Sequence, residues 1–413
     1  MVWIALFLFT LTMAGPAWAG AQRDELQIGI PDLPRRVQKT LPQLKPEQEI
    51  RMGIFKLHPS FESVVEYDDN VTLTKKDKKD DVIFTESPGF VTEVKLGDHR
   101  FETGYGMEIV SFATEHEENT TNHLAHALLE LNFNDLTLNI SDSLEKSTLR
   151  SFSETSARDK LFLNSVDIGA RYDRPHWAGE FDWRHNTVDH LVDTLEASDY
   201  EEDAFAILGG YKILPKTLLL LEVDAGVVNY HRTGNANQDY WQLLGGFRGE
   251  PTERLSLTTK LGYQNRQLGD VPGQGTQTDF SGLVANMDFV FAHSGNDAWR
   301  LAYMRSVRTS TFGNNSWYRQ DRISASYARR FLDKWTLTPQ FAWQINDYPE
   351  RTTVAGVNKL RQDSFWQAGV ELRYQIQEWL STAVAYRFRN RNSNFDSLDF
   401  DNNRFIADIT VAY

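Results

Sequence analysis

From Phe55 to its last residue this chain keeps a period of two over segments of about 10–13 residues each. Between Arg254 and Arg266, Leu255, Leu257, Leu261 and Tyr263 share one parity. Ser256, Thr258, Lys260, Gly262, Gln264 and Arg266 share the other. Between Lys334 and Asn346, Trp335, Leu337, Phe341, Trp343 and Ile345 alternate with Thr336, Thr338, Gln340, Gln344 and Asn346. Trp366, Ala368, Val370, Leu372 and Tyr374 repeat the pattern. Side chains alternate faces along a strand, so each segment is a β-strand with one apolar face. Globular strands usually run about 5–6 residues. Strands that cross a bilayer as tilted β-structure need about 9–11.

About 18 such segments can be counted, with 16 as the alternative. Their connections alternate in length. Gly97-Asp98-His99, Asn134-Asp135, Pro215-Lys216, Leu332-Asp333 and Gln377-Glu378 are short, while residues 68–81, 145–160, 186–202, 267–278, 347–362 and 390–402 form long polar connections. Transmembrane barrels sort their turns and loops in this way. A soluble propeller or pair of sandwiches would also alternate, but with shorter strands and unsorted turns. The expected fold is therefore all-β: a transmembrane antiparallel up-and-down barrel over residues 53–413. An even strand number puts both termini on the short-turn side, the periplasm. Trp177, Trp241, Trp299, Trp317, Trp335, Trp366 and Trp379 recur near strand ends, where aromatic girdles form.

Val2 to Ala14 is apolar and too short to span a bilayer; Gly15-Pro16 breaks it, and Ala17-Trp18-Ala19 supplies small residues for cleavage. Residues 1–19 thus read as a signal peptide, although no Lys or Arg precedes the core. Residues 20–52, broken by Pro31, Pro34, Pro42 and Pro46, read as a periplasmic arm. Export together with this strand ladder points to the outer membrane of a Gram-negative bacterium. Lipid, lipopolysaccharide and the barrel assembly machinery are the expected partners. Phe405, Ile409, Val411 and the terminal Tyr413 resemble the signal that machinery reads.

The chain has no Cys, which removes disulfides, thiol catalysis and Cys-ligated metals. A formal charge of −14 argues against nucleic acid as a partner. A mean hydropathy of −0.47 excludes spanning helices but not spanning strands, half of whose residues face water.

If the apolar parity faces lipid, the other lines the lumen. In the first half of the chain it carries Glu62, Glu66, Glu93, Glu102, Glu108, Glu130, Glu180, Asp182, Glu222 and Asp224. In the second half it carries Arg248, Lys260, Arg266, Arg300, Arg308, Arg322, Arg373, Arg387, Arg389 and Arg404. An acidic wall would face a basic wall, with a transverse field that favours hydrophilic solutes. The first alternative is that acids and bases pair into a network that fills the lumen, giving a structural or adhesive barrel; the second is an outer-membrane enzyme with an active site at the rim. No catalytic constellation is evident and no cofactor is expected. His123 and His126 alternate faces, and no Ser–His–Asp elbow or H-E-x-x-H motif occurs.

His58-Pro59-Ser60-Phe61, Glu66-Tyr67-Asp68-Asp69-Asn70-Val71 and Ser87-Pro88-Gly89-Phe90 resemble the opening of a family of outer-membrane β-barrel porins associated with exopolysaccharide or capsule biosynthesis. The resemblance covers about residues 53–96 and implies a barrel and a role in polysaccharide passage. It implies no catalytic residues. Physically, the Tyr-Asp-Asp-Asn turn suits a strand-to-loop corner. For polysaccharide passage, Phe365 and Trp379 are expected to point inward and stack on sugars.

Overall fold

A computed structural model describes residues 50–413, apart from 151–153, 155–157, 233–234, 272–274, 311 and 314. The expected signal peptide and most of the expected arm lie outside the described residues.

Eighteen long strands follow one another. The first six are β1 (Phe55–Asp68), β2 (Asp81–Leu96), β3 (His99–Phe112), β4 (Thr120–Phe133), β5 (Leu136–Arg150) and β6 (Arg158–Asp173). Next come β7 (Trp177–His190), β8 (Tyr200–Leu214), β9 (Thr217–Tyr230), β10 (Gln238–Thr252), β11 (Leu255–Leu268) and β12 (Phe280–Ser294). The last are β13 (Asp297–Thr309), β14 (Trp317–Phe331), β15 (Trp335–Val354), β16 (Val357–Gln377), β17 (Leu380–Ser393) and β18 (Phe400–Ala412). Each pairs antiparallel with its neighbours in sequence, and β18 pairs with β1 from Arg404↔Asp68 to Ala412↔Ser60, so the sheet closes without an edge. Walking the registers once around the sheet returns to β1 about 22 residues further on; that stagger tilts the strands by about 40° and sets the backbone about 17 Å from the axis.

The expected parity holds around the wall. Val65, Phe84, Ile140, Leu221, Leu301, Phe341 and Ile409 face outward and are exposed. Connections at one end are tight, several using left-handed residues such as Gly97 (φ 65°) and Asn134 (φ 47°). The other end carries the long loops. Two boundaries differ from expectation. Ile50–Met52 pairs with Phe55, Lys56 and Leu57 around Gly53 (φ 67°), so the end of the expected arm belongs to the first hairpin. Residues 347–362 are not an open loop. β15 and β16 continue past a bulge between Asp347 and Arg351 and turn at Ala355 and Gly356, both with positive φ. The β-branched Thr352-Thr353-Val354 run favours this extension.

The Tyr67-Asp68-Asp69-Asn70 corner stitches the closing seam. Asp69 accepts from the backbone N–H of Asn403 (2.7 Å) and from its side-chain amide (2.6 Å). Asp68 accepts from Asn402 and from the Asn70 N–H. The fully buried Asn70 amide donates to the carbonyls of Thr74 and Asp401, each at 2.8 Å. Tyr67 stays outside, half-exposed, near the Phe405 ring. Asn70→Ala removes the donor to two part-buried carbonyls and the acceptor of the Thr74 N–H, and is expected to cost about 3 kcal/mol. Urea unfolding followed by tryptophan fluorescence should show the loss, with Asn70→Asp nearly as damaging because it also lacks the amide donor.

Candidate functional site

Strand parity fixes which side chains enter the lumen, and closure fixes which walls oppose each other. β1–β9 form one half of the circumference and β10–β18 the other. All ten expected acidic positions lie inward on β1–β9, and all ten basic positions inward on β10–β18.

The charges are not spread evenly between opposite walls. Three ion pairs join the two halves where they meet. At the β1/β18 seam, Glu66 accepts from Arg404 Nε at 2.6 Å. At the other junction, Arg248 Nη1 donates to Glu180 at 2.9 Å, and Lys260 Nζ reaches over β10 to Glu222 at 2.5 Å. Other charges pair along their own wall. Arg100 serves Glu102 (3.3 Å) and Glu130 (3.6 Å), and Glu102 also meets His126 (3.0 Å). Lys95 lies 3.4 Å from Glu93, Asn122 donates to Glu108, Gln242 donates to Asp224, and Asp182 lies beside Gly169. In the basic half Arg300 pairs with Asp288, and Arg373 meets Glu371 (3.1 Å) and Asp408 (3.3 Å). Arg266 lies 4.7 Å from the Tyr240 ring centre and donates to Gln238. Arg389 donates to Asn402, and Arg308 approaches Met304.

Local pairing leaves like charges side by side. Glu93 is directly opposite Glu102, and Arg387 is directly opposite Arg404. Like charges in register destabilise a sheet. Such conflicts concentrate at functional sites. Glu62 faces Ser87 and Thr410 across its two ladders, and Arg322 faces Gln344 and Met304. Each half thus keeps a surplus of its own sign.

The long-loop end narrows the lumen. Leu73 of the first loop is buried against Ala342, Phe365 and Phe400 on the basic half. Glu154, between β5 and β6, reaches the opposite side: its carboxylate accepts from Ser310 Oγ (2.5 Å) and its carbonyl from Arg361 (2.8 Å). Arg361 is fully buried, pairs with Asp363 (2.6 Å), and stands 4.0 Å from the Phe312 ring centre and 4.8 Å from that of Tyr348. Arg391 stands over Phe400 at 4.9 Å. These loop anchors were not foreseen, because polar loops carry no period. The lone Leu73 amid Lys and Asp was their one sequence signal. Toward the short-turn end, Glu371, Arg373 and Glu130 remain partly exposed.

The aromatic expectation is corrected. Phe365 points inward but is 1% exposed beneath Leu73 and Arg391, so its faces are occupied. Trp379 sits in the tight turn between β16 and β17, outside the lumen wall. The histidines do not converge. His123 meets Tyr105 outside the barrel and His126 meets Glu102 inside; His185 meets Asp203 outside and His190 is buried against Asp199. Among the described residues no three His, Asp or Glu side chains gather as metal ligands. Phe405, Ile409 and Tyr413 are exposed on the outer face of β18.

Comparison with curated proteins finds no match. Among solved structures, the chain is similar to OpdK of Pseudomonas aeruginosa in its crystal structure with vanillate, at 12% identity and TM-score 0.48 over 86% of this chain and 99% of that one. It is also similar to OccAB3 of Acinetobacter baumannii, at 12% identity and TM-score 0.49 over 88% and 100%. The siderophore receptor PirA of P. aeruginosa gives 8% identity and TM-score 0.45 over 86% and 80%. A family model described as "Putative beta-barrel porin 2" matches residues 182–413. The match begins in β7, outside the stretch that carried the resemblance in sequence, and takes in the whole basic half. A closed 18-strand wall with a charged interior, matched by that model over more than half its length, belongs to the "putative beta-barrel porin 2" family of outer-membrane channels, which are not enzymes.

Proposed function

We propose that this barrel is a passive channel for hydrophilic solutes, with the short turns and both termini in the periplasm and the long loops outside. The observation that carries the reading is the surplus of like charge on each half, Glu93 against Glu102 and Arg387 against Arg404. Pairing at the two junctions leaves the mid-walls with opposite sign, so a solute crosses a transverse field. Eighteen strands put the backbone about 17 Å from the axis, farther than wall side chains reach, and barrels of this size enclose aqueous channels. Planar-bilayer recordings of the purified protein should show discrete conductance steps, and neutral, anionic and cationic sugars should block them to different extents. An electrically silent barrel would overturn the proposal.

The second reading, a structural or adhesive barrel, is favoured by the packing of Leu73 and Glu154 across the long-loop end, and the same recording decides between the two. Passage of an exopolysaccharide rests on the local resemblance at residues 53–96 alone. The exposed Phe405, Ile409 and Tyr413 on the last strand support recognition by the barrel assembly machinery. The aromatic girdles, with Tyr172 against Trp177 at one end and Trp366 against Phe388 nearer the other, suit contact with lipid and lipopolysaccharide.

A further inference from the structure

The middle of the acidic half holds a recess that its ion pairs leave open. On β7, β8 and β9 three inward positions stand in one row, Asp182 in register with Ala206 and Ala206 with Asp224. The next row toward the long loops is Arg184, Ala204 and Gly226, and Tyr240 of β10 lies across Gly226. With two alanines on β8, the wall drops between two carboxylates. The resulting recess, about 330 Å³, is lined by Asp167, Asp182, Ala204, Ala206, Asp224 and Tyr240.

The neighbouring bases are committed elsewhere. Arg184 serves Asp167, Arg248 serves Glu180 and Lys260 serves Glu222. Asp182 leans over Gly169 of β6 and makes no hydrogen bond or ion pair among the described residues. Asp224 is 4% exposed; one oxygen accepts from Gln242 Nε2 at 2.5 Å, and Oδ1 has no partner. Gln242 Oε1 and Glu222 Oε1 are buried without partners as well. Buried acceptors ordinarily have a donor. All the unpaired atoms here are acceptors, and two of the carboxylates have no cation, so the group that completes them is a cationic donor. The carboxylates are held apart. Two strand spacings separate their backbones, about 10 Å, and no three His, Asp or Glu side chains gather as a metal cage among the described residues.

We propose that this recess binds a small linear diamine, with one ammonium at Asp182 and the other at Asp224. The inference rests on the channel reading above, since the recess faces the lumen. A four-carbon chain with a charged hydrogen bond of about 2.8 Å at each end spans the gap. An ammonium has three N–H donors, enough for Asp224 Oδ1 and Gln242 Oε1 together. The methylenes lie over Ala204 and Ala206, beside the Tyr240 ring, where no polar side chain competes for them.

Calorimetric titration of the detergent-solubilised barrel with diaminobutane tests this, with butanediol and Ca²⁺ as comparisons at constant ionic strength. Saturable binding is expected of the diamine and none of the diol. Asp182→Asn and Asp224→Asn should each weaken it about tenfold, the worth of one charged hydrogen bond. Ala206→Leu fills the floor, leaves every charge in place and should abolish binding. Glu253→Gln, in the short turn between β10 and β11, should change nothing. Each variant is first checked for the heat-dependent gel shift of a folded barrel. No binding by the folded native chain, equal affinity in the aspartate variants, or Ca²⁺ bound with the same aspartate dependence in place of the diamine would each overturn the inference. The titration does not depend on conduction. A conducting barrel that ignores the diamine removes this site alone, whereas an electrically silent barrel that binds it supports the site and overturns passage.

Discussion

Gly246→Ala is expected to abolish the folded barrel, while Gly245→Ala beside it leaves the barrel intact. The two glycines face opposite ways on β10. A Cβ on Gly245 points outward and meets nothing within 4 Å. A Cβ on Gly246 would stand 1.7 Å from the Thr259 carbonyl oxygen and 2.8 Å from its carbon. Gly262 on β11 is placed reciprocally, with its Cβ position 1.8 Å from the Leu243 carbonyl oxygen. The obstacle is backbone and cannot rotate away as a flexible side chain can. Relief requires β10 and β11 to separate, which breaks ladder hydrogen bonds on both sides of Gly246. It also disturbs Lys260, paired with Gly246 in register, whose side chain crosses β10 to reach Glu222. Overpacking ordinarily costs about 1–3 kcal/mol, and a backbone collision belongs with the rare substitutions of about 4–5 kcal/mol or more. The check is the shift between folded and heated bands on a gel. A folded Gly246→Ala barrel with normal mobility would show that the close approach of β10 and β11 is not required.

The contrast between these glycines marks where sequence stops being informative. Parity follows from local chemistry, so eighteen strands and the sides occupied by Glu102, Arg322 or Ile409 could be read directly. The Tyr67-Asp68-Asp69-Asn70 corner was legible as a turn for the same reason, since Asp and Asn bond to nearby backbone. Its partners Asn402 and Asn403 were not, because they lie at the other end of the chain and meet it only on closure. A glycine within a strand, as at Gly246, admits the close approach of a neighbouring backbone, but which of Gly245 and Gly246 meets one depends on register and local bending. The extension of β15 and β16 was hidden by polar residues such as Arg351 and Asn358, which suit a hairpin standing in water as well as they suit a loop. Phe365 had the right parity for the lumen. Its burial depends on Leu73, which arrives from a loop almost three hundred residues earlier. The acidic and basic halves were visible as a gradient along the chain. That Arg404 meets Glu66, and Arg248 and Lys260 meet Glu180 and Glu222, follows from closure and register alone.

Arg361→Ala is expected to change conduction more than any single substitution in the wide part of the lumen. Arg361 is where the loop after β5 meets the opposite wall: it donates to the Glu154 carbonyl, pairs with Asp363 and stacks with Phe312 and Tyr348. Both members of the Arg361–Asp363 pair are fully buried. Removing one partner of a buried pair ordinarily costs about 3–5 kcal/mol, and here the nearby buried Arg391 offsets only part of the charge left on Asp363. The β10–β11 and β18–β1 ladders lie elsewhere, so the barrel should still assemble. The cost falls on the packing around Glu154, which should loosen. Two electrical consequences follow. Open-channel noise should rise as the loop explores more positions. The reversal potential in a KCl gradient should move toward cation preference, because a positive charge is lost beside Asp363 at the narrow end, where a single charge weighs most. Arg361→Ala/Asp363→Ala removes the stranded carboxylate and should return the reversal potential most of the way to its original value, while the noise persists because the bond to the Glu154 carbonyl is still missing. An unchanged reversal potential in Arg361→Ala, with the barrel folded, would place the selective region away from the long-loop end, at the wider charged walls around Glu102 and Arg387.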